Sequence, residues 1–214
     1  MAPEEVTKKS SETGRFIMVR HGESEGNRDR RFTISSDVPL TELGRRQAFD
    51  AARRIKLKFK PDRIISSPFA RARQTSEIIA AELALPVEIV NELHERDLGA
   101  LKGHSYDLLR EVVKQDPLYD PNNGWAWRPE GGESYEDVRK RVIGAIDQLR
   151  SRLAGREVVI VSHGGVMLSV WAHAIGSWHG AHLPPNCGIV LVDHDRDRIY
   201  PPRIVEGAEE GELG

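Results

Sequence analysis

Two short apolar runs in this 214-residue chain end in the same way. Phe16-Ile17-Met18-Val19 leads into Arg20-His21-Gly22, and Val158 to Val161 leads into Ser162-His163-Gly164. Both runs are apolar, β-branched and bounded by polar residues, the pattern of buried strands. A strand finishing in Arg-His-Gly carries a cation, an imidazole and a pliant backbone to its carboxyl end, where open α/β sheets bind ligands. If the two strands are parallel neighbours, His21 and His163 meet at one sheet edge. Gly22 lets the backbone approach an anion or offer its carbonyl to the imidazole, which fixes the tautomer. Arg20 presents a fork of donors suited to a phosphate, and Asn27 lies on the turn that follows. A further predicted strand, Asp62 to Ser66, runs into Ser66-Ser67-Pro68-Phe69-Ala70-Arg71-Ala72-Arg73 and opens a helix whose free N–H groups favour anions. An acid in range comes from the segment Leu93 to Gly103, which holds Glu95 and Asp97. The set is two histidines, two arginines, an asparagine and one carboxylate around an anion.

Alternating strands and helices must position these groups. Thr41 is a plausible N-cap for a helix over 42–58, with Leu43, Ala48, Ala51, Ala52 and Ile55 at helical spacing. Pro68 starts the next helix, with Ala72, Thr75, Ile78, Ile79 and Leu83 on its inner face. Val87 to Val90 reads as a short strand, Tyr106 to Lys114 as a helix, and 116–132 as a proline- and tryptophan-bearing loop. That loop is long for an ordinary connection, as binding loops and lids are. Ser134 to Arg152 and Val166 to Ile175 read as helices, Cys187 to Val192 as a strand, and Arg198 to Tyr200 as an edge strand beside it. The expected fold is a three-layer α/β/α sandwich, with a mostly parallel central sheet and helices on both faces.

Composition narrows the function. Lys and Arg number 31 against 33 Asp and Glu, a net charge of −2, which argues against nucleic acid as a general partner. No apolar run approaches the roughly 20 residues of a membrane span, so no membrane partner is expected. The single cysteine, Cys187, excludes an internal disulfide and reads as a small core residue. Residues 1–14 read as a mobile leader without a secretory h-region, 15–203 as the domain and 204–214 as an acidic tail, so a cytoplasmic location is expected. His173, His179 and His182 have no strong zinc spacing, and neither metal nor cofactor is expected.

The ordered motifs carry a resemblance. Arg20-His21-Gly22-Glu23-Ser24 with Asn27 comes first, then Asp37-Val38-Pro39-Leu40-Thr41 with Gly44 and Gln47-Ala48. Ser66-Ser67-Pro68 with Arg71-Ala72 and Gln74-Thr75 comes next, followed by Leu93-x-Glu95 with Gly99 and Gly103. Gly131-Gly132-Glu133-Ser134 and Ser162-His163-Gly164 complete the set. Over roughly residues 15–193 the chain resembles the histidine phosphatase superfamily, the branch of the cofactor-dependent phosphoglycerate mutases and many small phosphatases. The resemblance implies a catalytic set of His21 as phosphorylated nucleophile, Glu95 as proton donor and acceptor, and His163. Arg20, Asn27, Arg71 and His163 would hold the phosphoryl group, with Thr33 and Gly164 also contacting the substrate. A neutral imidazole can attack phosphorus while cations neutralise the equatorial oxygens, so protein groups stand where a metal would.

The same residues have plainer readings. Arg73 reads as solvated, Ser162 as structural, and Trp125 and Trp127 as either lid aromatics or loop anchors. Asp97 competes with Glu95 as the acid. Four departures weaken a mutase reading: Leu98 in place of a tyrosine, no paired arginine beside Trp125-Ala126-Trp127-Arg128, Gly165 in place of an asparagine, and Phe32-Thr33-Ile34 in place of Phe-Thr-Gly. The expected activity is hydrolysis of a small-molecule phosphomonoester, with the mutase as runner-up and a non-enzymatic phosphate-binding protein as a further alternative. Specificity is expected from residues 104–133.

Overall fold

The computed structural model describes residues 13–33 and 35–205. Its centre is β1 (Gly14–Arg20), which pairs in parallel with β4 (Glu157–Ser162) and antiparallel with β5 (Ile189–His194). On the far side of β4 lie β2 (Arg63–Ser66) and β3 (Val87–Ile89), all parallel, and β6 (Arg203–Val205) closes the other edge antiparallel to β5. The sheet order is β3-β2-β4-β1-β5-β6.

Strand alternation sends successive side chains to opposite layers. Phe16 and Met18 of β1 join Val158 and Ile160 of β4 under α5 (Tyr135–Arg152) and α6 (Gly164–Ile175). Ile17 and Val19 join Val159 and Val161 under α2 (Glu42–Lys58) and α3 (Ala70–Leu83). Each such fully buried apolar side chain contributes about 1.5–3 kcal/mol. The expected three-layer sandwich is the fold, with the antiparallel pairings confined to the β5–β6 side.

The helices follow their local signals. Thr41 caps α2 by accepting from the Gly44 N–H, and Ser134 caps α5 in a reciprocal capping box with Asp137. The polar segment after β1 hides a one-turn helix, α1 (Glu25–Arg28), which the sequence reading passed over. Its signal is Ser24 with Asn27 three residues on, again a capping box. The helix α4 (Tyr106–Gln115) matches expectation.

Several boundaries differ from the sequence reading. The last central strand begins at Ile189, because Cys187 turns the chain at φ +55°. Arg198 to Tyr200 is not a ladder strand: Ile199 makes one bridge to His194, and Pro201-Pro202 lack the N–H groups to continue it. The edge strand is β6, so ordered structure crosses the boundary placed between 203 and 204, and Gly14 belongs to β1 rather than to a leader. The rest of the proposed leader and tail, 1–12 and 206–214, lies outside the described residues. Among the described residues no helix is long and apolar enough to cross a membrane.

His194 on β5 is 1% exposed and packs on the Phe16 ring at 4.2 Å. Burial, aided by Arg150 and opposed by Asp193 and Asp195, lowers its pKa from 6.5 to about 4. The unfolded chain therefore takes up a proton that the folded chain refuses. This contribution to stability is complete above about 6.5 and is lost as the pH falls toward 4. The melting temperature should fall across that window, and His194→Phe should make the decline shallower. Thermal melts at stepped pH check this; an unchanged slope in the variant refutes it.

Candidate active site

The register of β1 with β4 builds the floor of the site. Arg20 lies opposite Ser162, and the His21 N–H donates to the Ser162 carbonyl at 2.9 Å. His21 and His163, one residue past their strands, therefore stand side by side with ring centroids 5.1 Å apart. Both are almost wholly buried. Gly22 is required by close approach: a Cβ there would collide with the Gly44 carbonyl at the start of α2. Its own carbonyl accepts from His21 Nδ1 at 2.7 Å.

That bond sets the tautomer of His21. With Nδ1 as donor, Nε2 carries the lone pair, and it accepts from Arg71 Nε at 3.2 Å. Burial first, then Arg71 and Arg20, holds the ring well below the usual histidine range, so it is neutral. His163 is neutral for related reasons: burial, then Arg71 and His21. Its Nε2 lies 2.7 Å from Ser67 Oγ, which also accepts from the Phe69 N–H. The Ser67 hydroxyl thus holds one edge of the His163 ring, and Nδ1 at the other edge is buried without a partner.

Buried donors without partners mark what the site lacks. Arg20 Nε, one Arg71 terminal nitrogen (Nη1) and His163 Nδ1 are buried and unbonded. Burying such groups unpaired costs about 1–3 kcal/mol each, an arrangement that an anion would relieve. Burial also depresses both guanidinium groups, with the nearby Glu95 carboxylate opposing the effect.

Glu95 follows a 3₁₀ turn over Asn91–Leu93 that is anchored by the buried Leu93. Its Oε1 accepts from the Arg96 N–H at 2.8 Å and the Gly165 N–H at 3.1 Å, at the start of α6. A Cβ on Gly165 would stand 2.5 Å from that oxygen, so a larger residue would push the carboxylate from this position. Asp97 reaches the cavity wall too, but it is committed. It accepts from the Gly99 N–H at 2.7 Å and pairs with Lys102 at 2.7 Å.

Arg20, His21, Asn27, Thr33, Arg71, Glu95 and Gly164 all line one cavity, with His163 packed beside His21. Arg73 is exposed, and Ser162 donates to the Leu93 carbonyl, as expected of a structural residue. The long loop resolves as an anchor. Trp125 stacks on Trp178 at 4.8 Å, Trp127 is buried and donates to Asp116, and no residue of 116–132 lines the cavity. Of the range 104–133, only Tyr106, Leu109 and Arg110 reach it. Among the described residues no histidine or acid cluster could hold a metal.

Two contributors escaped the sequence reading. Asn186 donates from Nδ2 to the His21 carbonyl at 2.9 Å and to Asn27 Oδ1 at 3.2 Å. Tyr106 Oη accepts from Asn27 Nδ2 at 3.2 Å. An asparagine after Pro184-Pro185 was the only available hint of the first; nothing local flags the second.

Fold and site together define an α/β protein with paired strand-end histidines and unpartnered cationic donors. The profile of the histidine phosphatase superfamily (branch 1) matches residues 16–205, and the chain belongs to that superfamily. Among curated relatives, phosphoglycerate mutase-like protein 4 of Arabidopsis thaliana is 34% identical over 164 residues, covering 74% of this chain and 70% of its own. The metal-independent phosphoserine phosphatase of the same plant is 31% identical over 173 residues, covering 78% and 71%. Among solved structures, mycobacterial glucosyl-3-phosphoglycerate phosphatase in complex with VO3 superposes with a TM-score of 0.76. It is 27% identical, covering 92% of this chain and 100% of that one.

Inorganic phosphate should bind where the donors are unpaired. At ten times its dissociation constant it should raise the melting temperature by roughly 3–6 °C. Arg71→Met should abolish that rise, and a rise that persists would place the anion elsewhere.

Proposed function

We propose that the protein is a metal-independent phosphomonoester hydrolase that works through a phosphohistidine on His21 and acts on a small phosphorylated metabolite. The observation that carries this reading is the neutral, Nδ1-protonated His21, whose Nε2 lone pair faces buried donors that lack partners. In the first step Nε2 attacks phosphorus and the ester P–O bond breaks. Arg20, Arg71, Asn27 and His163 hold the equatorial oxygens, while Thr33 and Gly164 border the ester. Glu95 gives its proton to the departing alkoxide. In the second step water passes a proton to the Glu95 carboxylate and attacks phosphorus; the P–N bond breaks and its electrons return to His21.

Mutase chemistry begins with the same adduct and differs in whether a second hydroxyl reaches it before water. Leu98 and Gly165 argue for water. Incubation with 3-phosphoglycerate and catalytic bisphosphoglycerate should therefore give little 2-phosphoglycerate.

Rapid quenching with labelled substrate should trap an acid-labile, alkali-stable adduct on His21, and His21→Ala should abolish turnover. Chelator should leave the rate unchanged and vanadate should inhibit. A label on Ser24, or activity lost in chelator and restored by a divalent metal, would overturn the mechanism.

Glu95→Gln keeps the hydrogen-bond acceptor but removes the proton, so turnover of alkyl phosphates should fall by roughly 10²–10⁴. The loss with 4-nitrophenyl phosphate should be smaller, because its leaving group needs little protonation. Asp97→Asn should spare both rates. The opposite pattern would mean that Asp97 is the acid.

A further inference from the structure

The cavity over the histidines has a volume of about 670 Å³, several times what one phosphoryl group fills. Its wall is also far more basic than the chain. The protein as a whole carries a net charge of −2, yet the wall holds seven basic side chains against the carboxylates of Glu95 and Asp97.

Most of these charges are already matched. Arg20 and Arg71 belong to the phosphoryl end, where two cations balance a phosphomonoester dianion. Arg96 is built into the wall, donating to the carbonyls of Glu133 and Trp127 and lying 4.3 Å over the Tyr135 ring. Lys102 pairs with Asp97, and Arg30 stands 3.7 Å from Asp107.

Arg31 and Arg110 remain, both exposed: neither forms an ion pair within 4.0 Å among the described residues, although Asp29, itself paired with Arg28, lies close enough to feel the Arg31 charge. Arg31 gives one N–H to the Gly103 carbonyl at 3.0 Å, which ties its guanidinium to the rim. Arg110 lies on α4, one turn from Tyr106 and beside Leu109, and all three line the cavity. The two arginines come from separate segments joined by a backbone bridge between Arg31 and Ser105. The same wall includes apolar Phe32, Leu98, Leu109 and Leu183.

Resting on the phosphomonoesterase reading, we infer that the mouth of this cavity is a second anion subsite formed by Arg31 and Arg110. The substrate class is then a phosphomonoester whose body carries a further carboxylate or phosphate, separated from the first by a short, weakly polar stretch. An ester with a neutral body would leave both guanidinium groups unanswered.

Phosphonates separate binding from turnover, because hydrolysis does not break their P–C bond. Calorimetry on the wild-type protein would use ω-carboxyalkylphosphonates of two to five methylenes, their ω-amides, and the matching bisphosphonates. At the best length, the acid or the bisphosphonate should bind about tenfold tighter than the amide, a preference that shrinks as salt rises. Arg110→Gln and Arg31→Gln should each bring that ratio to within about twofold while leaving the amide unchanged. Which of the two anions gains more tells carboxylate from phosphate. A ratio near one at every length, a preference that survives both substitutions, or no binding of any acid-bearing phosphonate overturns the subsite. Turnover of 4-nitrophenyl phosphate is recorded in parallel. Its absence overturns the hydrolase reading, whereas the calorimetric ratios alone decide the subsite.

Discussion

The parallel pairing of β1 with β4 is the constraint on which the rest of the molecule depends. It runs without a break from Arg15 opposite Glu157 to Arg20 opposite Ser162. A slip of one residue would turn Phe16 and Met18 toward the layer that holds α2 and α3, and Ile17 and Val19 toward the other. Both cores would be lost. The packing that fixes the register therefore also fixes the distance between His21 and His163. The site needs no dedicated scaffold, because its spacing comes from the hydrophobic core.

Electrostatics works against that stability at the same place. Two imidazoles held neutral and two guanidinium groups partly out of water form a cluster that no internal anion neutralises, Glu95 apart. The protein tolerates unbonded nitrogens on Arg20, Arg71 and His163 within an otherwise close-packed interior. A cluster of this kind is poised for an incoming anion, and its partners are held in place beforehand. Asn186 ties the His21 backbone to Asn27, and Ser67 holds the His163 ring.

The fold and the floor of the site were legible because their signals are local and strong. Apolar runs ending in His-Gly announce both their strand and the end that carries the histidine, and Thr41 and Ser134 announce their helices. The short helix over Glu25–Arg28 was missed because a single turn has no hydrophobic period, and only its capping pair betrays it. The region around Arg198 was misread because apolar Ile199 and Tyr200 suggested a strand, whereas the following prolines forbade a ladder. The tryptophan-bearing loop stood open between two readings. Its length suggested a lid, yet the Trp125–Trp178 stack depends on a contact between residues 53 positions apart, which no local pattern reveals. Asn186 and Tyr106 were hidden for the same reason.

Cys187 carries a consequence of its own. Its side chain packs on Ala48 and Ala51, its N–H donates to the Arg20 carbonyl at 3.0 Å, and burial pushes its thiol up to about 12. While α2 stays seated, thiolate is almost absent and alkylating reagents find no nucleophile. Modification must then wait for the segment to open, so the alkylation rate counts openings rather than collisions. The chain's single sulfhydryl is thus a built-in clock, and what it times is the breathing of the backbone that carries Arg20 and His21.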